Sequence, residues 1–342
     1  MFPTGRLRIV QIHPTRRCNL ECLHCYSNSG PLVHAELHED LVRRAIADAS
    51  AEGFDVISFS GGEPLLFAPL PGVLEHARSH GLRTTIVTNG MLLDERRLNA
   101  IRDHVNLIAI SLDGLPESHD LNRNRSGAFD RMAINLEGLR ASGIPFGFIF
   151  MLTQYNLFEL EWVAGYAVEQ GAQLLQVHPL SLVGRAQQLL GDAHPDGLEF
   201  THGFLEVERL RVVHAGRLAI QLDLMHRRVL AQHPDAVFAA PLVELGEGAR
   251  LADLISPLVI ETDGAVVPIE HGIDRRFALG NLNTSSLRDL ARQWPRESYP
   301  AFRALCRQTY EELTDSSQFP FVNWYEEVGK RAQAFEYAEV RA

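Results

Sequence analysis

The chain has 342 residues with 43 acidic and 32 basic side chains, a formal charge of -11. That balance excludes a surface built for non-specific nucleic-acid binding, which runs on basic patches. The longest apolar stretch, Ile144–Leu152, is far shorter than the ~20 residues a membrane helix needs, so no membrane partner is expected. The segment MFPTGRLRIV has no charged start followed by an apolar run, so no signal peptide and a cytoplasmic location are expected. The only lysine is Lys330, which leaves little room for Schiff-base chemistry.

In chain order, short apolar runs alternate with amphipathic stretches. Strands are expected at Arg8–His13, Val56–Phe59, Arg83–Val87, Leu107–Ser111, Phe146–Met151 and Leu174–Val177. Helices are expected at 36–52, 68–80, 94–102, 127–142 and 157–170. Gly53, Gly81, Gly143 and Gly171 follow four of them, as at helix C-termini. Repeated strand–helix units imply a parallel sheet with right-handed crossovers, either an open doubly wound sheet or a partial barrel. In both, ligands sit at the C-terminal ends of the strands. The polar loops agree: a cysteine loop follows the first strand, Ser60–Pro64 the second, Thr88–Gly90 the third and Ser111–Gly114 the fourth.

Beyond residue 186 the pattern loosens. An amphipathic stretch, Leu198–Val213, precedes a strand-like Leu218–Leu224 and a helix. Pro257–Glu261 and Ala265–Glu270, split by Thr262-Asp263-Gly264, read as a hairpin. Ser286 is placed to cap a short helix.

There are four cysteines, Cys18, Cys22, Cys25 and Cys306. Thiolates hold zinc or iron–sulfur clusters. Three on one loop can bind three irons of a cubane cluster and leave the fourth iron open. A zinc site would need a fourth ligand, from His13, His24 or elsewhere.

The loop Cys18-x3-Cys22-x2-Cys25-Tyr26 resembles that of the radical SAM superfamily. So do Gly61-Gly62-Glu63-Pro64, Ser111-Leu112-Asp113-Gly114 with His119-Asp120 and Arg123, Gly127–Asp130, Asn156 and Gly184-Arg185-Ala186. The resemblance implies a partial (β/α)6 barrel of the TIM type over residues 1–190. It implies one [4Fe-4S] cluster on Cys18, Cys22 and Cys25, with S-adenosylmethionine on the open iron. Reductive cleavage then gives a 5′-deoxyadenosyl radical that takes a hydrogen from a substrate carbon. Gly61 and Gly62 would let backbone approach the methionine amino group. Glu63 would accept from that ammonium or brace the loop. Ser111 would meet the ribose or the methionine end, and Arg123 the methionine carboxylate, with Arg125 as its rival. Tyr26 would lie near adenine, and Asn89 and Gln176 complete the cofactor set. His178 would face substrate or adenine, or serve as an ordinary core histidine.

Residues 191–342 resemble a SPASM (twitch-like) α+β extension, with the hairpin Asp263–Ile269 and the turn Gly280-Asn281. Ile269 stands where that extension carries a cysteine, so no auxiliary cluster is expected. Cys306 reads as a buried apolar residue or, more sharply, as a hydrogen donor to a substrate radical. The expected substrate is a ribosomally made peptide undergoing epimerisation or cross-linking; the alternative is a small sugar, nucleoside or antibiotic intermediate. Expected partners are an electron donor such as flavodoxin or ferredoxin and, since little sequence precedes Cys18, either a separate leader-peptide-binding protein or a leader groove on the barrel itself.

Overall fold

The computed structural model describes residues 7–234, 249–315 and 320–335. Six strands form in the expected places: β1 Ile9–Thr15, β2 Val56–Gly61, β3 Arg83–Thr88, β4 Leu107–Ser111, β5 Phe146–Leu152 and β6 Leu174–Pro179. They are followed by β7 Ala219–Leu222, β8 Met225–His226, β9 Leu258–Ile260, β10 Ala265–Pro268, β11 Gly280–Asn281 and β12 Phe321–Val322. Ten of them make one sheet in the order β11-β10-β9-β1-β2-β3-β4-β5-β6-β7. All neighbours from β9 through to β7 are parallel, and β10 and β11 are antiparallel additions. The sheet is open at both edges, a partial barrel.

Helices connect the parallel strands, and strand alternation sorts the side chains. On β1, Val10 and Ile12 are fully buried in the main core, whereas Ile9 and Gln11 line a cavity. On β6, Leu175 and Val177 join the core, and Gln176 and His178 face the cavity. One face of each strand therefore holds the helices on, and the other is left for a ligand.

Helix caps fix where the polar loops begin. Asp94 accepts from Arg97 N, and Asp196 with Glu199 forms a reciprocal capping box. Ser286 caps Leu287–Gln293 as expected, accepting from Asp289 N. The sequence pattern did not reveal the helix Pro116–Asn122, which starts with proline at its first turn and ends on Arg123. Its short length hides the helical period. It carries His119 inward, buried beneath the cysteine loop's partners.

The last third does not stand apart from this sheet. β7 extends it past β6, with Leu174 opposite Ala219. At the other edge β9 pairs with β1, with Val10 opposite Leu258, and brings the hairpin β9–β10 with it. Gly264 turns that hairpin at φ +84°, and Asn281 and Asn283 donate to Asp263 O at 3.0 and 2.8 Å. No described helix is long and apolar enough to cross a membrane.

Candidate functional site

A cavity of about 450 Å³ opens at the C-terminal ends of the strands. Cys18, Cys22 and Cys25 lie on its wall together with Tyr26, Gly61, Gly62, Glu63, Asn89, Ser111, Arg123 and Gln176. Of the residues expected at the site, Cys306 and Arg125, the rival to Arg123, are missing from this wall.

The cysteine loop is fixed on several sides. Gly62 N donates to Thr15 O and Glu63 N to Arg17 O, both at 2.9 Å. A Cβ on Gly62 would stand 2.4 Å from Arg17 O. One on Gly61, whose φ is +96°, would stand 2.8 Å from His13 Cβ. A side chain at either position would therefore collide with the protein itself. The space they leave is filled by this chain's own β1 and cysteine loop. From the opposite side Arg185 donates through Nη1 to Cys22 O at 2.6 Å and through Nη2 to Ser29 O at 2.9 Å. Its backbone N–H donates to Cys25 O at 2.9 Å.

Glu63 is 1% exposed and fully engaged. It accepts from Leu65 N (3.1 Å), Thr88 Oγ1 (2.9 and 3.0 Å) and Asn89 N (3.0 Å). Burial pushes its carboxyl up, and these donors act the other way. Of the two roles expected for it, the geometry builds the brace between β2 and β3.

Arg123 is likewise committed within the protein. Its Nη2 stands 2.8 Å from Asp113 Oδ2, and its Nη1 reaches Cys22 Sγ at 3.7 Å. Its Nε is buried without a hydrogen-bond partner. Arg125, the rival, is exposed and off the cavity wall. Asp113 also meets His24 Nε2 at 2.9 Å, and its backbone N donates to His119 Nδ1. Burial pushes the Asp113 carboxyl up, but Arg123 and His24 outweigh it and hold it well below the usual carboxylate range. Asn156 locks this loop, donating to Asp113 O at 3.0 Å and Met151 O at 2.8 Å. Sequence reasoning gave Asp113 no role beyond its motif and offered His24 only as a zinc ligand, not as this acid's partner. A buried acid two residues past a strand end, beside an arginine, was the available signal.

Tyr26 places its hydroxyl 3.2 Å from both His13 Nε2 and Ser60 Oγ. Asn89 donates to Asn19 Oδ1 at 2.8 Å and points at Cys18 Sγ at 3.9 Å, so it does more than turn the chain. On the far wall Gln176 donates to Gln221 Oε1 at 3.0 Å. His178 Nδ1 is tightly bonded to Asp223. Burial lowers the His178 pKa, but Asp223 outweighs it and raises it. Gln11, Ser58 and Tyr325 complete the polar lining and were not anticipated. Polar residues at alternate strand positions, where a packed core would be apolar, were the missed cue for Gln11 and Ser58.

Cys306 needs a correction. It is 5% exposed in the helix Tyr299–Asp315 and packs in the main core with Phe302 and Leu305. Burial pushes its thiol far up. A hydrogen donor must reach the substrate, and this thiol is not on the cavity wall. The geometry builds the apolar packing reading.

The three loop thiols fit a cubane cluster. Each has its own N–H donor: Asn89 Nδ2 for Cys18, Arg123 Nη1 for Cys22, and Ser29 N for Cys25 at 3.3 Å. Among the described residues no three His, Cys, Asp or Glu side chains converge to hold a single ion. A cubane seats each thiolate on a different iron, so convergence is not what it needs. Burial, with Glu63 next, pushes Cys18 up to about 12, and burial raises Cys22 as well. A cluster held here would need the three as thiolates, and the N–H donors would meet that charge.

Residues 12–167 match the radical SAM superfamily. The chain carries a radical SAM domain. The superfamily works with a [4Fe-4S] cluster and S-adenosylmethionine, the pair this wall of thiols and donors suits. The Fe-coproporphyrin III synthase of Methanosarcina barkeri is 30% identical over 193 residues, 56% of this chain and 48% of that protein. The PqqA peptide cyclase of Ruegeria pomeroyi is 35% identical over 173 residues, 48% of this chain and 44% of that one. The radical SAM domain chain thus spans about half the length of these curated relatives. In fold it is similar to anSMEcpe with bound AdoMet and Cp18Cys peptide, at TM-score 0.66 and 17% identity over 95% of each chain. It is also similar to Streptococcus suis SuiB bound to S-adenosylmethionine, at TM-score 0.66 and 15% identity over 87% of this chain and 68% of that one.

Proposed function

We propose that this chain is a radical SAM enzyme that abstracts a hydrogen from a substrate carbon, and that the substrate is a ribosomally made peptide. The observation that carries the first part is the cysteine loop itself. Three thiols, each met by an N–H donor, face a cavity at the C-terminal end of a parallel sheet. When bound, the cluster and S-adenosylmethionine supply the radical chemistry.

This chain's own residues do the rest. Cys18, Cys22 and Cys25 hold the cluster. Asn89 and Arg123 aim their N–H groups at two of the sulfurs. Asp113 keeps Arg123 charged and pointed. Ser111, Tyr26 and Gln176 line the space beside the cysteines, where the nucleoside and methionine parts of S-adenosylmethionine would rest. His178, oriented by Asp223, faces the remaining volume and meets the substrate. Residues 191–342 close that volume: Pro257, Ile269 and Tyr325 reach its wall.

Support for a peptide comes from the relatives and neighbours that act on or bind peptides. A small-molecule substrate is the second reading, favoured by the match to a coproporphyrin synthase. The test is anaerobic reconstitution with iron and sulfide, followed by dithionite and S-adenosylmethionine. Formation of 5′-deoxyadenosine is expected. Its absence, with and without substrate, overturns the proposal. Mass spectrometry of a short peptide encoded beside the gene then separates the substrates: a mass change on the peptide is expected, and an unchanged peptide favours the small molecule.

A further inference from the structure

The hairpin β9–β10 lacks a cysteine at Ile269, yet the backbone there is held in a demanding shape. Ile269 has φ +57°, a left-handed conformation that is rare for a β-branched residue. Such strain persists only where the surroundings impose it. Its effect is to turn the chain back over β1 and deliver His271 against the cysteine loop.

The contacts made there are specific. The His271 ring meets Tyr26 edge-on, with centroids 5.3 Å apart and planes at 68°. It also packs on His13 at 5.2 Å. Edge-to-face geometry of this kind is directional, so it fixes the tyrosine ring rather than merely covering it. Tyr26 follows Cys25 directly, and its hydroxyl is held by His13 and Ser60. On the other side of the imidazole, Nδ1 lies 3.0 Å from Glu261 Oε1, a close charge contact rather than an aligned hydrogen bond. Glu261 is 3% exposed, accepts from Gly272 N at 2.8 Å and is paired with Arg275. A buried carboxylate held by two other donors is a rigid stop for a histidine ring. Thr262 Oγ1 ties the same hairpin to His13 O at 3.1 Å.

We propose that His271, set in place by Glu261, is a positioning residue for the cysteine loop. The hairpin holds Tyr26, and through it the Cys25 end of the loop, by ring and carboxylate contacts. The proposal rests on the reading above only in taking the loop as the cluster's seat. Arg185 clamps the loop through its carbonyls; His271 restrains it through the side chain next to Cys25.

The test uses the full-length apo protein under reducing, anaerobic conditions, and so does not depend on any turnover. Iodoacetamide labelling is followed peptide by peptide, with buried Cys306 as the internal reference for global opening. His271→Ala is expected to speed labelling of Cys25 about tenfold by freeing the loop locally, with Cys306 still slow. His271→Phe keeps the ring edge and is expected to restore most of the protection. Reconstituted His271→Ala is expected to show an altered electron paramagnetic resonance line shape on dithionite reduction. Wild-type labelling and line shape in His271→Ala would overturn the proposal, as would equal acceleration at Cys306. If His271→Ala does not fold, Glu261→Gln carries the test: faster Cys25 labelling supports the proposal, and an unchanged rate overturns it. A wild-type protein that makes no 5′-deoxyadenosine, yet shows these labelling differences, would overturn the enzyme reading and leave this one standing.

Discussion

The first two thirds of the chain and the last third solve different problems on one sheet. From β1 to β6, nearly every polar group at the strand ends is spent on another. Glu63 ties β2 to β3, Asp113 collects Arg123 and His24, and Asn156 closes over Asp113. Buried polar groups left unmade are costly, so such a network is rigid only when it is complete. The last third contributes mostly edges and cover: β7 at one side, β9 to β11 at the other, and apolar or aromatic residues at the cavity mouth. The difference teaches that the cofactor end is specified by hydrogen bonds, which tolerate little change. The substrate end is specified more by surface shape, with Asp223 the polar group it adds to the cavity wall.

The sharpest break between the regions comes from the cysteines. Substituting Cys18, Cys22 or Cys25 by alanine is expected to lower 5′-deoxyadenosine formation by more than about a hundredfold, beyond what loss of an outer-shell partner costs. Iron content per chain should fall with it. Cys306→Ala is expected to keep both.

Next comes the buried ion pair. Asp113→Asn leaves Arg123 charged and poorly matched, and is expected to cost about 3–5 kcal/mol of stability in urea unfolding at neutral pH. The sign with pH follows from the depressed folded-state value. The contribution of Asp113 is fully present above the unfolded carboxylate pKa of about 4 and is lost as pH falls below it. The gap between wild type and Asp113→Asn should therefore narrow in acid; a constant gap would break the assignment of Asp113 as the charged partner.

In the last third the effects shrink. Cys306→Ala removes one buried sulfur from the core and is expected to cost about 1 kcal/mol by calorimetry. Asp223→Asn loosens a pair whose side chains are about one-third exposed and is expected to cost under about 1 kcal/mol, because solvent screens it. The His178 pKa is raised in the fold, so this contribution is fully present below the unfolded histidine value of about 6.5 and is lost as pH rises through the folded value. A stability difference that grows at high pH would contradict the pairing.

Much of this was legible in the sequence, for reasons that differ by residue. The strand–helix alternation and the glycine stops gave the parallel sheet, because both are local signals. The thiol spacing and the Gly-Gly-Glu-Pro loop placed the site, because they lie at strand ends. What escaped were partnerships made in space. Asp113 and Arg123 were both read within one motif, yet nothing local says that one neutralises the other. Cys306 read as a buried apolar residue or, being the one cysteine left over, as a donor; only packing decides, by placing it in the main core. The splitting of the last third between two sheet edges is long-range strand pairing, which local pattern does not encode.

The central claim is that the three loop thiols seat a cluster that cleaves S-adenosylmethionine. The most direct measurement is iron, sulfide and 5′-deoxyadenosine in one anaerobically reconstituted sample, run beside Cys22→Ala. The account predicts about four irons and four sulfides per chain and 5′-deoxyadenosine on reduction in the wild type, with both lost in the variant. Zinc in place of iron, or a reconstituted cluster that yields no 5′-deoxyadenosine, would contradict it.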